Sequence, residues 1–158
     1  MDISSLTTAG RINYKSITEA RPVYEQFRQM SEDPAAVQYD FLMKLLADNK
    51  DTEYGKKYGF ADIRSPEEYR QRVPVSLYDD YAPYIGRMVN QNETNLITAY
   101  PVGHFNKTSG TLGTPKKIPM SDPAVAIFNK YNGAYLYALR ERELGLDWIN
   151  GRGLHLVE

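Results

Sequence analysis

Apolar residues recur at helical spacing through the first part of this chain and at extended spacing later. Val37, Phe41, Leu42, Leu45 and Leu46 fall at i, i+4, i+5, i+8 and i+9, which is one apolar stripe on a helix. This predicts a helix from Pro34 to Asp48, capped by Ser31 or Asp33 and terminated at Asn49. An earlier helix is predicted over Pro22 to Met30, with proline near its start. The residues up to about Ile12 are small and polar and are expected to be frayed. A short helix is predicted over Thr52 to Tyr58, ending at Gly59.

Ser65-Pro66-Glu67-Glu68 is a capping box with proline at the first helical position, and it starts a helix to about Arg72. Ser76 and Asp79 form a weaker box for a helix from Leu77 to Val89, which Pro83 should bend or interrupt. The character then changes. Leu96 to Tyr100 and Val102 to Lys107 read as extended segments, and Lys117 to Pro119 reads as a returning strand. Pro119 lacks an N–H, so an edge position or a strand end is expected there. Ser121-Asp122-Pro123 starts a helix that runs to Leu144, with Gly145 as its cap. Ala124, Ile127, Phe128, Tyr131, Tyr135 and Leu139 are its expected buried face, and Gly133 weakens it locally. Asn150 to Gly153 reads as a turn, and Leu154 to Val157 as a last strand. The expected fold class is α/β, with residues to about 95 mostly helical. Residues 96–158 are expected as strand, loop, helix and strand, the opening of an incomplete α/β domain.

Composition narrows the functional classes. The chain has 158 residues, 42% hydrophobic and 25% charged, and a formal net charge of -1. That balance is ordinary for a soluble globular protein and offers no basic field for nucleic acid. With a cysteine count of 0, disulfides and thiolate metal sites are excluded, which fits a cytoplasmic enzyme. Two isolated histidines, His104 and His155, make no metal site. No apolar run is long enough to cross a membrane, and the first residues lack a signal-peptide pattern. The 13 tyrosines suit half-buried amphipathic positions, and some are candidates to line a pocket for an aromatic or acyl substrate.

The densest candidate chemistry lies in Thr108-Ser109-Gly110-Thr111-Leu112-Gly113-Thr114-Pro115-Lys116-Lys117. Glycines let the backbone turn tightly, and N–H groups in such a turn can converge on an anion. Ser109, Thr111 and Thr114 add hydroxyl donors, and Lys116 and Lys117 add positive charge. The loop is not a Walker sequence, because Pro115 stands where the second glycine is needed and Lys116 is followed by Lys117. The Gly-x-Gly-x-x-Gly dinucleotide pattern is also absent.

The order Thr-Ser-Gly-Thr-x-Gly-x-Pro-Lys resembles the phosphate loop of the acyl-adenylate-forming superfamily. Position 112 is usually Thr or Ser in those enzymes, so Leu112 removes one hydroxyl and could loosen or reposition the grip. The flanks narrow the likeness. They are Asp51 to Phe60, Arg72-Val73-Pro74-Val75-Ser76, Tyr78 to Ile85, Phe105-Asn106-Lys107 and Ile118-Pro119. From about Phe41 to Ser121 the chain resembles the GH3 family, the auxin-responsive acyl acid–amido synthetases and their bacterial relatives.

That resemblance implies an ATP-dependent ligase. A carboxylate attacks the α-phosphorus of ATP, an acyl-adenylate forms, and an amino acid's amine then takes the acyl group. Ser109, Thr111 and the amides of Gly110 and Gly113 would hold the β/γ-phosphates. Thr108 would support or join the loop, and Lys116 would neutralise charge on the departing pyrophosphate, a burden shared with Mg²⁺. The implied partners are a small carboxylic acid and an amino acid, with no nucleic acid and no membrane. Motifs that lie downstream of the loop in this superfamily are missing, so the chain is expected to be an N-terminal piece, inactive alone, marginally stable and prone to self-association.

Two alternatives stand beside this reading. One is an acyl-CoA-forming ligase segment, and the other a non-catalytic helical module with an anion-binding loop. Several residues read more simply. His104 is more often structural than catalytic, and Tyr131 and Tyr135 are more readily core residues than lining for an acyl pocket. Asp79 and Asp80 complement a helix dipole, and Arg140-Glu141-Arg142-Glu143 is a solvated mixed-charge face.

Overall fold

A computed structural model of the chain describes residues 6–109 and 114–142. Its described elements are helices α1 (Thr8–Glu19), α2 (Arg21–Met30), α3 (Pro34–Asn49), α4 (Glu53–Tyr58), α5 (Pro66–Arg72), α6 (Tyr78–Gln91) and α7 (Asp122–Glu141), with strands β1 (Val102–Lys107) and β2 (Lys117–Ser121). A single 3₁₀ turn, Phe60–Asp62, follows α4. The mostly helical opening, the strand pair around the loop and the following helix match the pattern expected from the sequence. The expected Gly145 cap, the turn over Asn150 to Gly153 and the strand over Leu154 to Val157 lie outside the described residues. So does the stretch of α7 expected to reach Leu144.

The chain divides into two compact units. One holds the described residues up to Asp33 together with those from Ala124 onward. Here Ile17 and Tyr137 are buried together, flanked by Tyr14, Ala20, Tyr24 and Leu136. Among the described residues before Ile12, those from Thr8 are helical rather than frayed as expected, because α1 begins there. Thr7 caps it, its hydroxyl accepting the Gly10 N–H at 3.0 Å. The buried face of α7 is also rotated from the expected one. Ala134 and Tyr137 are buried, while Ile127, Phe128 and Tyr135 are exposed, Phe128 at 67%. The helix is apolar on more than one side, so spacing alone did not fix which side packs. Gly133 has a packing role here, since a Cβ on it would stand 3.2 Å from that of Ala20.

The other unit, Pro34–Pro123, carries the loop. Its core gathers Leu46, Tyr54, Phe60, Ile63 and Val73, with Leu42, Met43, Tyr69, Tyr81 and Tyr84 packed around them. Only part of the predicted α3 stripe is buried. Leu46 is inside, but Phe41 and Leu45 are exposed at 59% and 44%. Tyr54 sits within an aromatic cluster, its ring centroid 4.6 Å from that of Tyr58 and 5.5 Å from that of Tyr81.

Local chemistry sets the ends of these elements. Thr52 is fully buried, donates to the Asn49 carbonyl at 2.7 Å and accepts the Gly55 N–H at 2.9 Å, so it caps α4. Gly59 ends α4 at φ 66°, a left-handed position that suits glycine. Ser65 caps α5 as expected, accepting the Glu68 N–H at 3.1 Å. The returning bond of the box is displaced by one residue, because Glu68 accepts from the Arg64 N–H instead. At α6 the expected box of Ser76 with Asp79 is replaced by a single side-chain bond, the Leu77 N–H donating to the Asp80 carboxylate at 2.7 Å. Pro83 does not interrupt α6, which is continuous to Gln91.

Leu96 to Tyr100 is irregular rather than a strand. Its backbone serves other elements. The Asn95 and Leu96 carbonyls accept from the Glu53 and Tyr54 N–H groups of α4, and the Ala99 N–H donates to the buried Asn49 side chain. β1 and β2 are antiparallel, with Phe105 opposite Pro119 and Lys107 opposite Lys117. Among the described residues each strand of this ladder has one unpaired side, which accommodates Pro119 as expected. The register shifts between Val102 and His104, at Gly103. No helix among the described residues is long and apolar enough to cross a membrane.

Candidate functional site

The loop that joins β1 to β2 has a closed neck. The Thr108 N–H donates to the Lys116 carbonyl at 3.0 Å, and the Lys116 N–H returns to the Thr108 hydroxyl oxygen at 3.0 Å. One residue further on, Lys117 directs its main-chain groups to Tyr78 at the start of α6. The Lys117 N–H donates to Tyr78 Oη at 2.9 Å, and Tyr78 Oη donates to the Lys117 carbonyl at 3.3 Å. The Lys116 ammonium stands 5.2 Å from the centroid of the Tyr78 ring, a cation–π distance.

A cavity of about 910 Å³ lies between this neck and α6. Thr108, Ser109 and Thr114 to Lys117 form one wall. Tyr78, Ala82, Gly86 and Asn90 form the other, spaced by four so that one helix face is presented. Asp79, Ile85 and Val89 complete that wall. A Cβ built on Gly86 meets no atom within 4 Å, so the missing side chain leaves the cavity wider there.

Of the predicted site residues, Thr108, Ser109 and Lys116 are brought together on this cavity. Gly110, Thr111 and Gly113 lie outside the described residues. Thr108 lines the cavity and also closes the neck, its hydroxyl oxygen accepting the Lys116 N–H. Lys116 is exposed and Lys117 half-buried. The lining suits a polyanion: hydroxyl-bearing residues and two lysines on one wall, with an uncharged helix face opposite apart from Asp79. Among the described residues, no group of three or more His, Cys, Asp or Glu is placed to hold a metal ion.

Sequence reasoning missed Tyr78. A tyrosine at a helix start carries no spacing signal of its own. His104 is exposed on β1 opposite Met120.

The model of the GH3 family N-terminal domain matches residues 23–158. The chain belongs to the GH3 family. A jasmonoyl-L-amino acid synthetase GH3.5 of Oryza sativa subsp. japonica is 29% identical over 144 residues, covering 90% of this chain and 24% of that protein. A putative indole-3-acetic acid-amido synthetase GH3.9 of Arabidopsis thaliana is 36% identical over 100 residues, covering 61% of this chain and 17% of that protein. Among solved structures, the acyl acid amido synthetase AtGH3.15 in complex with 2,4-DB superposes with a TM-score of 0.71 at 24% identity. That match covers 79% of this chain and 22% of the solved one, and it shows the fold. This GH3 chain therefore spans less than a third of the length of these relatives.

Proposed function

We propose that this GH3 segment supplies the ATP-phosphate grip of an acyl acid–amido synthetase, which joins a small carboxylic acid to an amino acid. The observation that carries this reading is the shared cavity of Thr108, Ser109, Lys116 and Lys117 beneath a hydrogen-bonded loop neck. The family relationship and the printed activities of the relatives support the reaction class.

In this reading the Ser109 and Thr111 hydroxyls and the amides of Gly110 and Gly113 hold the β/γ-phosphates. Thr108 keeps the loop closed through Lys116. Lys116 places its ammonium where negative charge accumulates as pyrophosphate departs, which lowers the barrier by electrostatic stabilisation. Mg²⁺ would supply further charge neutralisation and is held largely by phosphate oxygens in sites of this kind. Asp79 on the cavity wall is a carboxylate that fits that ion. Leu112 offers no hydroxyl, so the grip relies more on Ser109 and the two lysines. The segment alone is expected to be inactive, with the rest of a synthetase-length protein completing the reaction.

Product mass spectrometry tests the reaction class. The full-length protein carrying this segment is incubated with ATP, a panel of carboxylic acids, and either amino acids or CoA. Amide products are expected. Thioester products alone would instead assign a CoA ligase, and no acyl product with any acid from a folded protein would overturn both ligase readings.

A further inference from the structure

We propose that Tyr78 is the positioning residue of the phosphate loop, fixing both the backbone at its foot and the direction of Lys116. The role rests on the phosphate-grip reading for its consequence but not for its geometry. Three interactions converge on this one side chain. Its hydroxyl accepts the Lys117 N–H at 2.9 Å and donates to the Lys117 carbonyl at 3.3 Å, while its ring carries the Lys116 ammonium at 5.2 Å. Tyr78 is the first residue of α6, so the clamp ties the loop to a helix whose Ile85 and Met88 are buried.

The division of labour follows from chemistry. A loop rich in Gly, Ser and Thr has many backbone states, and holding it ready for an anion requires an anchor outside the loop. Thr108 and Lys116 close the neck but belong to the loop itself. Tyr78 comes from a distant part of the chain and satisfies both main-chain groups of Lys117, so it fixes the neck against the rest of the unit. Its ring also gives Lys116 a resting place that is weaker than a phosphate. A π face attracts an exposed ammonium only weakly. The lysine is thus held near the cavity mouth while free to leave when an anion arrives. A carboxylate in the same place would bind Lys116 more firmly and compete with the ligand. An aliphatic residue would leave it unguided.

Two variants separate the two functions. Tyr78→Phe removes the hydroxyl and keeps the ring, and Tyr78→Leu removes both. Amide hydrogen exchange on the 158-residue chain reads the clamp without any ligand. In Tyr78→Phe, exchange at the Lys117 amide is expected to accelerate by about tenfold, the value of one modest hydrogen bond, with the Tyr54 and Ile85 amides unchanged. Unchanged exchange at Lys117 in that variant would overturn the proposal.

Titration with inorganic pyrophosphate and Mg²⁺, followed through the Ser109 and Lys116 amide signals, reads the consequence. Affinity is expected to fall in Tyr78→Phe and further in Tyr78→Leu. The step between those two variants should vanish when Lys116 is already alanine. A step of equal size in that background would contradict the ring's role towards Lys116. If the wild-type chain shows no pyrophosphate response while Tyr78→Phe still releases the Lys117 amide, the phosphate reading fails and the clamp stands.

Discussion

Thr52 illustrates how a single side chain organises the loop-bearing unit. It is fully buried, and its hydroxyl is satisfied on both sides, donating to Asn49 and accepting from Gly55. Thr52→Ala removes the α4 cap and leaves the buried Gly55 N–H unpaired, so a loss of ~1–2 kcal/mol is expected in urea unfolding. A loss within the noise of the fit would mean that water replaces the hydroxyl. Residue-scale chemistry was largely legible beforehand where it obeys a local rule. Gly59 as a helix end, Ser65 as a cap and Pro119 at an unpaired strand side were readable because each depends on near neighbours in sequence. Tyr78 was not, because its partner Lys117 lies 39 positions away and no local pattern marks such a pair.

At the scale of elements, α6 is both the wall of the cavity and a source of stability. Gly86 faces open space on that wall. Gly86→Leu should therefore fit without a clash and remove the helix penalty of glycine, raising stability by about 0.5–1 kcal/mol. The same side chain projects into the cavity, so pyrophosphate affinity should fall. A variant that is more stable yet binds as well as the wild type would show that the ligand does not use this part of the cavity.

Further along α6, Arg87 reaches Glu93 at 3.1 Å and Glu53 at 3.0 Å, tying α6 to the following segment and to α4. The hydrogen bonds from Arg87 hold the Glu93 carboxyl below its ordinary value. Asp48 is likewise lowered, by hydrogen bonds from Lys44 and then Tyr100. A lowered carboxylate contributes stability above its unfolded value, about pH 4, and that contribution is lost as pH falls through the folded value. Thermal midpoints should fall as the solution is acidified through this range. In Arg87→Met the acid-induced fall should be smaller, because Glu93 then titrates near its ordinary value. An identical acid dependence in that variant would contradict the assignment.

Element positions were more legible than element faces. The α2, α3, α4 and α5 spans agreed closely with expectation, since caps, prolines and glycines punctuate them. The faces of α3 and α7 were misjudged because apolar residues encircle much of each helix, and only the neighbouring elements decide which side is buried. The segment from Leu96 to Tyr100 looked extended in sequence but spends its backbone groups on α4 and Asn49, a long-range use that residue spacing does not reveal.

On the scale of the whole molecule, large apolar side chains remain exposed in both units. Phe27, Ile127, Phe128 and Tyr135 are exposed in one, and Phe41, Leu45, Val75, Leu77 and Ile118 in the other. The β1–β2 ladder also has open sides among the described residues. Such surface and unpaired strand backbone favour association. Sedimentation of the 158-residue chain is expected to show self-association that grows with concentration. A monomer at all concentrations, with a sharp cooperative melt, would contradict this.

The most direct test of the phosphate grip is acid-dependent exchange of labelled pyrophosphate into ATP by the full-length protein carrying this segment. It isolates the adenylation half-reaction from the choice of amine. Exchange should require a carboxylic acid, and Lys116→Ala should reduce it by about a hundredfold or more, the usual cost of removing a group that stabilises developing charge. Exchange that persists at the wild-type rate in Lys116→Ala would contradict the role given to the loop.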